Sequence, residues 1–237
     1  MNPIYQGKIH MGQLIEGAKA ARGLTVIIDV FRAVSVECYL ISMGVRSIRP
    51  VGALGEALSL AGKVPDPVLF GERGGRRVEG FDFGNSPAQI IPDVVRGKNI
   101  IHTTSAGTQG VVNATGADEI LLGSLVGARA IAEYILHKNP PEVSLIAMGD
   151  AGISPTEEDD LCAAYIRSLL LGEEMDMKTA IVHLKDHGGR KFFKPDLQDI
   201  FPEEDFWMST QVDRFDFVLK VETDPLGYIV RTLPSSD

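Results

Sequence analysis

The chain has 237 residues, of which 44% are hydrophobic and 23% charged, the mix of a soluble globular protein that buries a substantial core without disulfides. A formal net charge of -9 excludes a globally basic footprint, so no nucleic-acid partner is expected. The two cysteines, Cys38 and Cys162, lack CxxC spacing, and no window reaches the ~18 apolar residues that span a bilayer. The sequence therefore reads as a reduced, cytoplasmic protein with no leader and no membrane partner.

In chain order, "LTVIID" (24 to 29) reads as a strand, Val36 to Met43 as a helix, "VRSIRPV" (45 to 51) as a strand and Leu54 to Ala61 as a helix. The strands "PVLFG" (67 to 71), "NIIHTT" (99 to 104), "DEILLG" (118 to 123) and "VSLIAMGD" (143 to 150) follow, with helical spacing over Gly107 to Ala114 and Leu125 to His137. Ser154 is expected to cap the next helix, with Pro155 in its first turn, Glu157 three residues after the cap and Gly172 at its end. Beyond it, "MKTAIVHLKD" looks helical, while "DRFDFVLKVE" and "GYIVRTL" form a hairpin through "TDPLG" that either completes the sheet or makes an interface. The alternation predicts an α/β fold: a mainly parallel sheet, with a mixed one as the variant, covered by helices in α/β/α layering, with a C-terminal β-hairpin. Residues 1 to 237 are read as one unit, with a sub-division near 172 as the alternative.

Ligands of open α/β sheets sit beyond the carboxyl ends of the strands, which directs attention to four strand ends. Asp29, with Arg32 close behind, is suited to a divalent cation or to phosphoryl chemistry, or else caps the next helix. A haloacid dehalogenase-type phosphatase would have a second Asp two positions on, where this chain has Phe31. The run "GERGGRRVEGFDFGNSP" (71 to 87) concentrates Glu72, Arg73, Arg76, Arg77, Asp82, Asn85 and Ser86 with glycines that allow close backbone approach. Thr103, Thr104, Ser105, Gly107 and Thr108 either present hydroxyls and N–H groups to an anion or form an ordinary capped turn. The strand ending at Asp150 leads to Glu157, Glu158, Asp159 and Asp160, which complement a helix dipole, with a subset free to face a site. Cys162 is expected to be a buried small residue, and His187 before two glycines is the one histidine in a turn-like polar context.

The blocks "VIIDVFRA", "GERGGRRVEGFDFGNSP" and "EDDLCAA", in that order, resemble the 2-phosphosulfolactate phosphatase (ComB) family over about residues 24 to 172, with a weaker tail through "VDRFDFV". The resemblance implies a magnesium-dependent acid phosphatase that removes phosphate from 2-phospho-3-sulfolactate, as in coenzyme M biosynthesis. Its DVFRA block falls on Asp29 to Ala33, its GER block on Gly71 to Arg73, its GFDxGNSP block on Gly80 to Pro87, and its acidic helix start on Glu158 and Asp159. Where the family commonly has a "TTNGT"-like turn, this chain has Thr103-Thr104-Ser105-Ala106-Gly107-Thr108.

On that footing Asp29, Arg32, Glu72, Arg73, Glu158 and Asp159 are the expected catalytic residues, and Asp29, Glu72, Asp82, Glu158 and Asp159 the expected magnesium ligands or their supports. Arg76, Arg77, Asn85, Ser86, Thr103, Thr104, Ser105, Gly107 and Thr108 are expected to hold the substrate, a small anionic phosphomonoester, since guanidinium forks suit oxyanions. Attack by metal-activated water is the expected route, and a phospho-aspartyl intermediate at Asp29 its rival. The alternative function is a non-catalytic sensor of a phosphorylated or sulfonated metabolite. A homo-oligomer, as a dimer, is expected from the hairpin and from exposed apolar residues such as Trp207.

Overall fold

The structure is a computed structural model and describes residues 4–235. Ten strands form one mixed, mostly parallel sheet in the order β1-β8-β2-β7-β9-β10-β3-β6-β4-β5. The strands are β1 (Lys8–Gln13), β2 (Gly23–Ile28), β3 (Ser47–Pro50), β4 (Pro67–Arg73), β5 (Arg76–Arg77), β6 (Asn99–Thr103), β7 (Ala117–Gly123), β8 (Glu142–Ala147), β9 (Phe217–Asp224) and β10 (Gly227–Pro234). The helices are α1 (Leu14–Ala20), α2 (Ala33–Ser42), α3 (Leu54–Ala61), α4 (Pro92–Val95), α5 (Gly107–Asn113), α6 (Ala128–Lys138), α7 (Glu157–Leu171), α8 (Met177–Asp186) and α9 (Glu203–Ser209). No helix among the described residues is long and apolar enough to cross a membrane.

Side chains on a strand alternate between faces, and β2 shows the result. Leu24, Val26 and Ile28 join a core with Ile131, Tyr134, Ile135, Ile166 and Leu170 of α6 and α7. Ile27 points the other way, into a core with Ala18 of α1, Val36 and Leu40 of α2 and Val111 of α5. Both faces of this buried strand are thus covered by helices, which explains why "LTVII" is continuously buried and apolar but for Thr25 rather than alternating.

The C-terminal hairpin completes the sheet from its middle. β9 pairs antiparallel with β7, and β10 pairs antiparallel with β3, so the hairpin joins a β1-β8-β2-β7 parallel group to a β3-β6-β4 parallel group. Along the ladder the second group runs opposite to the first. A right-handed twist of roughly 20–25° per strand accumulates to about 100–125° over the five steps from β2 to β6, which turns their carboxyl ends back toward each other. The backbone N–H of Gly107, just after β6, donates to Asp29 Oδ2, just after β2, at 2.9 Å.

Several elements differ from expectation. The segment before residue 24 forms β1 and α1, where no element was expected: β1 is an edge strand with mostly exposed side chains, so it carries no apolar period. Helix α7 starts at Glu157 with Thr156 as its N-cap rather than Ser154. Ser154 is held instead in a tight turn, where its carbonyl accepts from the Asp150 amide at 2.8 Å. Gly149, at φ 66°, makes that turn possible, because a Cβ there would sit 2.2 Å from the Ser154 carbonyl. Gly172 ends α7 at φ 66°, as expected.

Candidate active site

The carboxyl ends of β2, β4, β6 and β8 and the start of α7 enclose a cavity of about 390 Å³. Its walls include Asp29, Arg32, Glu72, Asn85, Ser105, Asp150, Glu158, Asp159 and Lys191. Strand ends from the two oppositely directed groups are therefore brought to one place by the twist of the sheet, and Asp29, Glu72, Glu158 and Asp159 are buried together there.

Backbone amides orient most of these acids. Asp29 Oδ1 accepts from the Ala33 amide at 3.1 Å and Oδ2 from the Gly107 amide at 2.9 Å, so Asp29 does bond the start of the following helix and also faces the cavity. A side chain at 107 would crowd this contact, since a Cβ would lie 3.0 Å from Asp29 Oδ2 and 3.3 Å from Ala33 Cβ. Asp159 Oδ1 accepts from the Val30 amide at 2.7 Å and Oδ2 from the Gly149 amide at 2.8 Å. Glu72 binds the Ser105 and Gly75 amides at 2.9 and 2.8 Å, tying the loop after β4 to the loop after β6.

Burial dominates the electrostatics. It pushes Asp29 up to about 6, opposed by the Ala33 amide and reinforced by the Glu72 charge. Burial likewise pushes Glu158 up to about 7, with the Lys191 charge pulling it down and Asp29 pushing it up. Asp159 lies well above the usual carboxylate range through burial and the charges of Asp29 and Glu158. Such mutual repulsion among buried acids is relieved by a proton or by a cation.

Cations are distributed unevenly. Lys191 reaches the cavity from a single turn between α8 and α9, its ammonium 5.9, 5.6 and 5.2 Å from the ring centroids of Phe31, Phe192 and Phe201. Arg32 is 3% exposed and committed on several sides: to Asp205 Oδ2 and the Ile200 carbonyl at 2.7 Å each and to the Gly75 carbonyl at 3.1 Å. Asp205, 0% exposed, also accepts from Ser86 Oγ at 2.7 Å and the Ala88 amide at 3.0 Å. Arg32 thereby clamps the segment that carries Lys191 and Phe201 to the loop after β4.

The remaining expected residues lie around this centre. Arg73 donates to the Glu72 carbonyl at 2.6 Å and to Thr103 Oγ1 at 3.0 Å, outside the cavity wall. Exposed Arg76 and Arg77 line an adjoining cavity of about 290 Å³ together with Arg32, Gly75, Asn85 and Ser86. Asp82 binds the Leu69 amide at 2.8 Å and is absent from both walls. Thr104 and Thr108 bond each other across the turn, Thr108 Oγ1 donating to the Thr104 carbonyl at 2.9 Å. His187 is exposed and stacks on His183 away from the wall, and burial pushes the Cys162 thiol up, as a small core residue requires. Trp207 is 43% exposed on α9.

Sequence reasoning missed Lys191, Phe201 and Asp205, which come from the region after α7 with no recognisable spacing. The one signal there was "HGGRKFF", a glycine turn followed by paired basic and aromatic residues. It also missed that buried His102 bridges Glu37 and Asn85.

The chemistry of the donor set suits a hard cation, since every candidate ligand is a carboxylate oxygen. Among the described residues no group of three His, Cys, Asp or Glu is placed to hold one ion. Magnesium asks for less, typically one or two carboxylates with waters and substrate phosphate completing an octahedron. Asp29 and Asp159 meet that demand, because each oxygen keeps a lone pair beyond its amide hydrogen bond.

The 2-phosphosulpholactate phosphatase family matches residues 9–224. The chain is 36% identical over 179 residues, 74% of each chain, to a protein of Caldicellulosiruptor saccharolyticus named probable 2-phosphosulfolactate phosphatase. Proteins of the same name from Caldanaerobacter subterraneus subsp. tengcongensis and Bacillus subtilis are 32% and 29% identical, covering 87% and 93% of this chain and 89% and 93% of theirs.

Proposed function

The chain belongs to the 2-phosphosulfolactate phosphatase family, and from that premise we propose that it hydrolyses 2-phospho-3-sulfolactate, a small anionic 2-hydroxy acid phosphate, to 3-sulfolactate and inorganic phosphate with magnesium. The observation that carries this reading is the burial of Asp29, Glu158 and Asp159 on one cavity wall, each held above the usual carboxylate range. Crowding of buried acids is costly, and a cation with a phosphoryl group is what relieves it.

In this reading Asp29 and Asp159 would hold the metal, their oxygens aimed by the Ala33, Gly107, Val30 and Gly149 amides, and magnesium held there would supply charge to the phosphoryl oxygens and lower the pKa of water. Lys191, flanked by aromatic faces and with its charge acting on Glu158, offers its ammonium to the anionic phosphoryl group. Glu158, pushed up to about 7, gives a proton from its carboxyl to the departing hydroxy-acid oxygen at neutral pH. Arg32 and Asp205 act as positioning residues for the segment that carries Lys191. Attack by water is favoured over a phospho-aspartyl enzyme because both Asp29 oxygens already accept amide hydrogen bonds, which weakens them as nucleophiles.

The test is phosphate release from 2-phospho-3-sulfolactate and 2-phospholactate with magnesium and with chelator. Magnesium-dependent release is expected. Binding of both compounds without any release would favour a sensor instead.

A further inference from the structure

Asn85 stands where two cavities meet, lining both the acid-walled one and the smaller one that carries Arg76 and Arg77. Its Oδ1 lies 3.1 Å from His102 Nε2, and His102 Nδ1 lies 2.8 Å from Glu37 Oε1. All three residues are buried, His102 wholly so. Glu37 Oε2 is buried without a hydrogen-bond partner.

These facts constrain where the protons lie. Asn85 presents Oδ1 rather than Nδ2 to the ring, so His102 Nε2 is the donor of that contact, and Glu37 Oε1 holds the ring by its other nitrogen. The two N–H donors of Asn85 Nδ2 are left for the cavity side.

We propose that Glu37 and His102 are positioning residues that lock Asn85 as an N–H donor to the substrate carboxylate next to the phosphorylated carbon. The inference rests on the phosphatase reading above and adds to it the group that distinguishes a 2-hydroxy acid phosphate from a plain alkyl phosphate. A carboxylate is an acceptor only, so the locked amide selects it, while an amide free to flip would offer its own oxygen as readily.

The experiment compares kcat/KM on 2-phospholactate with kcat/KM on isopropyl phosphate, in which a methyl group replaces the carboxylate. The ratio of the two is expected to fall about ten- to a hundredfold in Asn85→Ala, and further in Asn85→Asp, whose charge opposes the carboxylate. His102→Gln, which keeps a donor toward Asn85, should hold the ratio closer to wild type than His102→Leu. Ring nitrogen NMR of the unaltered protein should find His102 Nε2 protonated, a readout that stands even if His102→Leu fails to fold. Equal losses on both substrates, or an unprotonated Nε2, overturn the assignment of Asn85. Turnover of neither substrate, nor of 2-phospho-3-sulfolactate, by the unaltered protein overturns the phosphatase reading itself.

Discussion

Asp29 Oδ2 and the Gly107 amide meet at 2.9 Å, joining the carboxyl end of β2 to the first residue of α5 across two strand groups that run in opposite directions along the ladder. This bond fixes the acid that the other carboxylates crowd, and a side chain at 107 would press against it at 3.0 Å.

Crowding of the acids predicts how stability varies with pH. Asp29 at about 6, Glu158 at about 7 and Asp159 well above its usual range all bind protons more tightly folded than unfolded. Between the ordinary carboxylate range near ~4 and about 7 the native state therefore carries the extra protons, and stability falls as pH rises through that window. Melting of the metal-free protein should be roughly a few degrees higher at pH 5 than at pH 8. Magnesium should raise Tm more at pH 8 than at pH 5, and Glu158→Gln should flatten the metal-free slope.

Lys191 can be tested apart from the fold. Lys191→Met keeps an unbranched apolar stem against Phe31, Phe192 and Phe201 and removes only the charge. We expect kcat/KM to fall about ten- to a hundredfold with Tm nearly unchanged. Because the Lys191 charge pulls Glu158 down, the limb of the pH–rate profile governed by Glu158 should move to higher pH. A fall in kcat/KM with no movement of that limb contradicts the assigned pairing.

Arg32 and Asp205 form a buried ion pair, and removing one partner leaves the other charged and unsolvated. Asp205→Ala should cost about 3–5 kcal/mol in urea denaturation. It should also raise KM, since the clamp on the segment bearing Lys191 and Phe201 is lost. Arg32→Met combined with Asp205→Leu should recover only part of that stability, because Ser86 Oγ, the Ala88 amide and the Ile200 and Gly75 carbonyls lose their partners, while leaving KM high.

Much of this was legible in the sequence where local pattern governs. Leu54 to Ala61 is α3 to the residue, and the apolar run at 24 to 29 ends on the acid that reaches the cavity. Exposed β1 left no period to read, and the insertion of the β9–β10 hairpin into the sheet centre depends on pairing between distant residues. The acids and arginines of residues 71 to 87 were visible as chemistry. Their division was not: Glu72 enters the wall, Arg73 turns to its own carbonyl and Thr103, and Asp82 supports the Leu69 amide. Such choices are made by packing and hydrogen-bond satisfaction, which spacing does not encode. Lys191 was hidden for the related reason that it is delivered by a single turn rather than by a helix face or strand end.

The central claim is that the Asp29, Glu158 and Asp159 cluster hydrolyses a phosphomonoester with magnesium. Its most direct test is the single-turnover rate of phosphate release from 2-phospho-3-sulfolactate by the unaltered protein, Asp29→Asn and Glu158→Gln, each at saturating magnesium. The account predicts release by the unaltered protein and a fall of about a hundredfold or more in both variants, with folding retained by circular dichroism. Release at an undiminished rate by either variant would contradict it.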